Sequence, residues 1–212
     1  QCVFAHILEY TNAVSAHSES VHRGEWASNP DFSYRVAPIY ELDGKTIGII
    51  GFGKIGKAVA RVALGFGMKV LAQTNHPSEF KSVEFTDRDT LLKNSDFVTI
   101  HCPLTAETTG MVNNDFLSKM KKTAMLINTS RGPVVDESAL ARALSDCTIA
   151  AAGLDVLCKE PPEADNPLTK LPNCSITPHI AWAGYETRQR LMDIMKENIR
   201  AYYEGKPINT VY

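Results

Sequence analysis

Residues 45–66 read KTIGIIGFGKIGKAVARVALGF. Residues 45–50 are a continuous aliphatic run of the kind that forms a strand buried on both faces of a parallel sheet. Residues 54–66 place apolar side chains at helical spacing. Between them Gly51, Gly53 and Gly56 make a G-x-G-x-x-G turn. Taken alone that pattern occurs by chance, and a tight structural βα turn is the plain alternative. Strand before and helix after give it a mechanism. Gly51 permits the tight turn, Gly53 lets a pyrophosphate approach the backbone, and Gly56 lets the helix pack on the strand. A dinucleotide would then rest its phosphates on the free N–H groups that open the helix, chiefly those of Lys54 and Ile55.

The flanking sequence repeats the alternation. Further buried-strand runs lie at 68–73, 96–101, 123–129, 149–156 and 174–177, with helices near 54–66, 87–93, 113–120 and 136–145. Thr86 with Asp89, and Asp136, suit helix N-termini, and Gly67 sits where a helix should stop. This predicts an α/β fold, a doubly wound parallel (Rossmann) sheet over 45–180. The dinucleotide-binding domain is expected over 1–185. A long first helix, with Val3, Phe4, Ile7, Leu8, Thr11 and Val14 on one face, is predicted to run to about His22 within a segment spanning 1–23. A turn-rich stretch with Pro30 and Pro38 follows it. A final helix over 185–203 begins a C-terminal segment, 186–212.

Composition narrows the class. The 212 residues are 44% hydrophobic and 22% charged, as in ordinary globular proteins, and the net charge of −2 gives no reason to expect nucleic acid or an anionic membrane as partner. Cys2, Cys102, Cys147, Cys158 and Cys174 are scattered, with no C-x-x-C pair. That usage suits a reducing compartment, the cytoplasm, and predicts neither a disulfide framework nor a metal site. No apolar run approaches the roughly 18 residues of a membrane span. The chain opens without Met or helix cap inside an apolar-periodic stretch, so continuation upstream is expected.

Three polar residues fall just beyond predicted strands: Arg131 in INTSRG, Glu160 in DVLCKEPP and His179 in TPHIAWAG. Singly, each has a bland reading: a surface cation, a solvated loop acid, a satisfied loop histidine. Together, in a fold with a cofactor turn, they suit hydride exchange with a 2-oxo acid. Arg offers a bidentate fork for the carboxylate, and His can protonate the developing alkoxide near neutral pH. An adjacent carboxylate orients the imidazole and raises its pKa. Among the other histidines, His101 in HCPLT is expected to border the adenine side. Tyr202-x-x-x-Lys206 matches a short-chain dehydrogenase pattern, but Gly205 breaks the helix that such chemistry requires.

GKTIGIIGFGKIG, HCPLTAETTGMVN, INTSRGPVVDESAL, GLDVLCKEPP and TPHIAWAG, in this order and spacing, resemble the D-isomer-specific 2-hydroxyacid dehydrogenase family over essentially the whole chain. The resemblance implies Arg131 as substrate-binding residue, His179 as acid/base and Glu160 as its partner. It also implies Asp155 on the nicotinamide carboxamide, with Cys102, Pro103, Thr129, Ser130 and Arg131 lining the cofactor cleft. It further implies NAD as cofactor and a small 2-oxo acid as substrate. The N- and C-terminal helices should bridge to an upstream substrate domain, and an exposed apolar face on the first helix should help form a homodimer. Without that domain the chain should bind dinucleotide and turn over poorly. DFSYRVAPIYELDGKT and HIAWAGYETRQRLMDI look most like glycerate dehydrogenases (hydroxypyruvate reductases). Corepressors of the C-terminal-binding-protein type and phosphoglycerate or formate dehydrogenases remain alternatives.

One departure concerns the cofactor. Residues 70–77 read VLAQTNHP, where the family commonly places an Asp at position 74 to grip the adenosine ribose. Thr74 and its neighbours Gln73, Asn75 and His76 offer no carboxylate, so NAD with relaxed discrimination against NADP is expected.

Overall fold

The computed structural model describes residues 1–77 and 79–210. Seven strands form one sheet: β1 Thr46–Ile50, β2 Lys69–Gln73, β3 Val83–Phe85, β4 Phe97–Ile100, β5 Met125–Asn128, β6 Ala151–Leu154 and β7 Cys174–Ile176. Their order is β3-β2-β1-β4-β5-β6-β7, and every neighbouring pair is parallel. From β1 the chain steps outward through β2 to β3, then returns to β4 on the other side of β1. That reversal opens a crevice at the carboxyl ends of β1 and β4, where doubly wound sheets receive ligands.

The helices are α1 Cys2–Asn12, α2 Val14–His22, α3 Lys54–Gly65, α4 Arg88–Asn94, α5 Asn114–Ser118, α6 Glu137–Ser145 and α7 Tyr185–Tyr203. Strand alternation divides the core between the two sheet faces. Ile47, Ile49, Met125 and Ile127 join Phe4 and Ile7 of α1 and Val59, Ala60 and Ala63 of α3. Ile50, Val98, Ile100 and Leu126 join Leu91 and Leu92 of α4, Phe116 and Leu117 of α5, and Leu140 and Leu144 of α6. Each Val, Leu, Ile, Phe or Met side chain among these contributes about 1.5–3 kcal/mol by leaving water.

Three local expectations change. The single N-terminal helix is two helices, broken at Ala13, whose backbone is left-handed (φ 46°, ψ 46°). No glycine or proline marks the break; the Glu9 carboxylate spans it, accepting from the Ser15 hydroxyl at 3.1 Å. The apolar face divides accordingly: Val3, Phe4, Ile7 and Thr11 are buried against the sheet, whereas Val14 is 61% exposed. The face expected to be exposed along 3–14 is thus largely inside the chain's own core. At α4 the cap is Asp87, which accepts from Thr90 N at 2.9 Å, rather than the Thr86–Asp89 pair. Finally, β3 is a three-residue edge strand, too short for its pattern to announce itself.

The chain divides into two compact units, Gln1–Pro178 and His179–Tyr212. The second contains α7, on which Leu191, Ile194, Met195 and Ile199 form an exposed apolar stripe at helical spacing.

Candidate functional site

The register of the first unit gathers the predicted cofactor residues. Gln73, Ile50, Ile100, Asn128, Leu154 and Ile176 are partners in one row across six strands. The residue after each forms the carboxyl edge of the sheet: Thr74, Gly51, His101, Thr129, Asp155 and Thr177. Four of these give their N–H to the last carbonyl of a neighbouring strand: Gly51 to Gln73, His101 to Ile50, Asp155 to Asn128 and Thr177 to Leu154, at 2.7–2.9 Å.

Gly51 has φ +92°, and a Cβ there would lie 2.6 Å from the backbone of His101 and Cys102. The first turn is thereby pressed against the end of β4, with Cys102 half-buried and Pro103 exposed beside it. Gly53 caps α3 with no side-chain hydrogen bond, and a Cβ on it would meet nothing within 4 Å. A Cβ on Gly56 would lie 2.3 Å from the Gly51 carbonyl oxygen. The turn is therefore tight on its protein side and open at Gly53, with Lys54 and Ile55 exposed at the helix start. That shape fits a pyrophosphate laid against backbone N–H groups.

At the adenosine end, Thr74 is half-buried and Asn75, His76 and Pro77 are exposed. The Thr74 hydroxyl accepts from His76 N at 3.2 Å, closing a small turn. His101 is held differently. Its Nε2 lies 2.9 Å from Thr99 Oγ1, and burial pushes its pKa down to about 4, so the ring is neutral near pH 7.

Arg131 is exposed on the loop after β5, with Nη1 donating to Ser130 O at 2.7 Å. Sequence reasoning missed what shapes that loop. Asn128 is fully buried; its Oδ1 accepts from Ser130 N and Oγ, and its Nδ2 donates to Arg131 O at 2.9 Å. The Glu160 carboxylate accepts from Leu157 N at 3.0 Å. Glu137, on the first turn of α6, accepts from Cys158 N and from Asn166 Nδ2, tying the Glu160 loop to the helix that follows Arg131. A polar residue ending a buried strand, as Asn128 does, was the available signal. Glu137 offers no comparable signal in the sequence.

Asp155 is 1% exposed, and its Oδ1 accepts from the Thr177 hydroxyl at 2.6 Å. His179 opens the second unit, half-buried and with left-handed backbone (φ 53°), a conformation that non-glycine residues adopt rarely and often at functional positions. Among the described residues no group of three or more His, Cys, Asp or Glu could hold a metal ion, and no helix is long and apolar enough to cross a membrane.

The sequence model described as "D-isomer specific 2-hydroxyacid dehydrogenase, NAD binding domain" matches residues 4–181. A hydroxypyruvate reductase of Blautia hydrogenotrophica is 45% identical over 214 residues, an alignment covering all of this chain and 66% of that protein. A glycerate dehydrogenase of Methylorubrum extorquens is 45% identical over 94% of this chain and 63% of its own length. A solved protein of Thermus thermophilus superposes with a TM-score of 0.88 at 39% identity, covering 99% of this chain and 66% of its own. The chain thus spans slightly less than two thirds of the relatives it matches.

Proposed function

Because the chain belongs to the D-isomer-specific 2-hydroxyacid dehydrogenase family, with residues 4–181 its NAD-binding domain, we propose that it serves an oxidoreductase acting on a small D-2-hydroxy acid and the matching 2-oxo acid. The substrate pair is D-glycerate and hydroxypyruvate, with glyoxylate as a second acceptor. The observation that carries this reading is the row of strand ends, which brings the glycine turn, Thr129 and Asp155 to one edge of the sheet.

When bound, the nicotinamide supplies or accepts the hydride. Arg131 holds the substrate carboxylate and polarises the carbonyl. His179 protonates the carbonyl oxygen as charge builds there, and takes the proton back in the reverse direction. Glu160 orients the imidazole. Asp155 accepts from the nicotinamide carboxamide, and Lys54 and Ile55 offer N–H groups to the pyrophosphate. The C-terminal helix, with its exposed apolar stripe, is assigned to the rest of the full-length protein. Assembly as a homodimer is assigned to the N-terminal helical segment, 1–23, where Val14 and Val21 are exposed. The five free cysteines suit the cytoplasm.

The test is fluorescence titration with NADH, then steady-state turnover of the full-length protein on a panel of 2-oxo acids. NADH binding with turnover of hydroxypyruvate and glyoxylate is expected. Tight NADH binding with negligible turnover on every acid would point instead to a regulatory protein on this scaffold.

The turn at Thr74 sets cofactor choice. NAD is assigned, with weak discrimination against NADP because no carboxylate repels a 2′-phosphate. Thr74→Asp is expected to weaken NADPH by about tenfold or more, the size of a like-charge contact, and NADH by less than about threefold. Equal losses for both would show that the turn does not face the 2′ position.

A further inference from the structure

Two polar side chains are buried on α1: Thr11, whose hydroxyl donates to the Ile7 carbonyl of its own helix, and His6, whose partners lie elsewhere in the chain. His6 is 5% exposed, between Val3 and Phe4 on one side and Ile7 on the other. Its Nδ1 lies 2.7 Å from Ser175 Oγ and its Nε2 lies 3.4 Å from Thr177 Oγ1. Thr177 in turn donates to Asp155 Oδ1 at 2.6 Å. The room for the ring is made elsewhere in the chain: a Cβ at Gly153 would lie 2.7 Å from His6 Cβ and 2.8 Å from its Cγ.

Proton counting fixes the direction of this network. Thr177 has one hydroxyl proton, and the short contact gives it to the carboxylate. Its oxygen is then the acceptor for His6, so Nε2 carries the imidazole proton and Nδ1 accepts from the Ser175 hydroxyl. The donors run one way, from Ser175 through His6 and Thr177 to Asp155. Burial pushes the His6 pKa down and so favours the neutral ring this arrangement requires, against the opposing pull of the Asp155 carboxylate.

We propose that His6 is a positioning residue for Asp155, acting through the Thr177 hydroxyl. The Thr177 bond fixes one carboxylate oxygen and with it the plane of the group. The His6 N–H on the far side of Thr177 fixes the hydroxyl rotor and strengthens its donation. The helix that packs under the sheet thereby sets the aim of the residue assigned to the nicotinamide carboxamide. The inference rests on that assignment.

The test compares NADH with ADP-ribose, which carries both riboses and the pyrophosphate but no nicotinamide, using calorimetric Kd values for each. Asn in place of His keeps an amide near the Nδ1 position, whereas Gln keeps one near Nε2. His6→Asn is therefore expected to weaken NADH by about fivefold to tenfold, one hydrogen bond's worth, with ADP-ribose within about twofold. His6→Gln should stay within about twofold of wild type for both ligands. Thr177→Val should behave as His6→Asn, and Thr177→Ser as wild type. Equal weakening of both ligands, or no change in NADH with His6→Asn, overturns the proposal and leaves His6 a packing residue. If His6→Asn does not fold, Thr177→Val against Thr177→Ser decides by the same criteria. Asp155→Asn separates the two layers. If it weakens both ligands alike, the carboxamide assignment fails and the proposal with it. If it weakens NADH alone while His6→Asn does not, only the proposal fails.

Discussion

Replacing Arg131 with alanine in the full-length protein is expected to lower kcat/KM for hydroxypyruvate by about 10²–10³-fold, with the Kd for NADH within about threefold. The expected size follows from removing a charge-assisted, bidentate contact to a carboxylate, about 3–4 kcal/mol. The separation from cofactor binding follows from how the loop is built. The loop assigned to the cofactor keeps its shape when the guanidinium and its one bond to Ser130 O are removed, because the buried Asn128 amide holds Ser130 N and Arg131 O. Arg131→Lys should recover part of the loss, since it restores the charge without the fork. Steady-state kinetics and an NADH titration on the same preparations check both halves. A parallel loss of NADH affinity would mean that Arg131 acts on the cofactor rather than on the substrate.

The second large effect separates two glycines only three residues apart. Gly53→Ala should leave the thermal midpoint unchanged and lower NADH affinity by about a hundredfold. Its φ of −78° suits alanine and its Cβ would meet no protein atom, so the added methyl fills only the space assigned to the pyrophosphate. The loss corresponds to two charge-assisted hydrogen bonds, about 3 kcal/mol. Gly56→Ala should lower both affinity and midpoint, because its Cβ would lie 2.3 Å from the Gly51 carbonyl and must push α3 from β1. Thermal melts with and without NADH distinguish the two. If Gly53→Ala binds NADH as the wild type does, the phosphates do not lie over this turn.

Much of the fold was legible because its strands are continuous aliphatic runs. TIGII, MLIN and their neighbours are buried on both faces, and no other element so short tolerates that composition. What could not be read had no local cause. The break at Ala13 lacks glycine and proline, and the Glu9 side chain that bridges it to Ser15 leaves no local pattern. The edge strand Val83–Phe85 exists only through its pairing with β2. At the candidate site, residues in motifs were legible one at a time, but their supports were not. Asn128 and Glu137 hold loops through backbone groups, a role that side-chain chemistry does not reveal. His6 and Thr177 stand 171 positions apart, and the apolar face read along the first helix, Val3, Phe4, Ile7, Leu8, Thr11 and Val14, leaves position 6 out.

The shared row of strand ends has a consequence for how such a domain can vary. Thr74, Gly51, His101, Thr129, Asp155 and Thr177 each sit one step beyond a residue in register with its neighbours. A single insertion within any of these strands would advance its terminal residue by about 3.3 Å and turn it to the opposite side of the sheet. Substitution at these positions changes chemistry; insertion before them removes it. The domain is therefore free in the letters at its rim and bound in their count, and new specificities have to be written by exchange, as at Thr74, or in the loops that lie beyond.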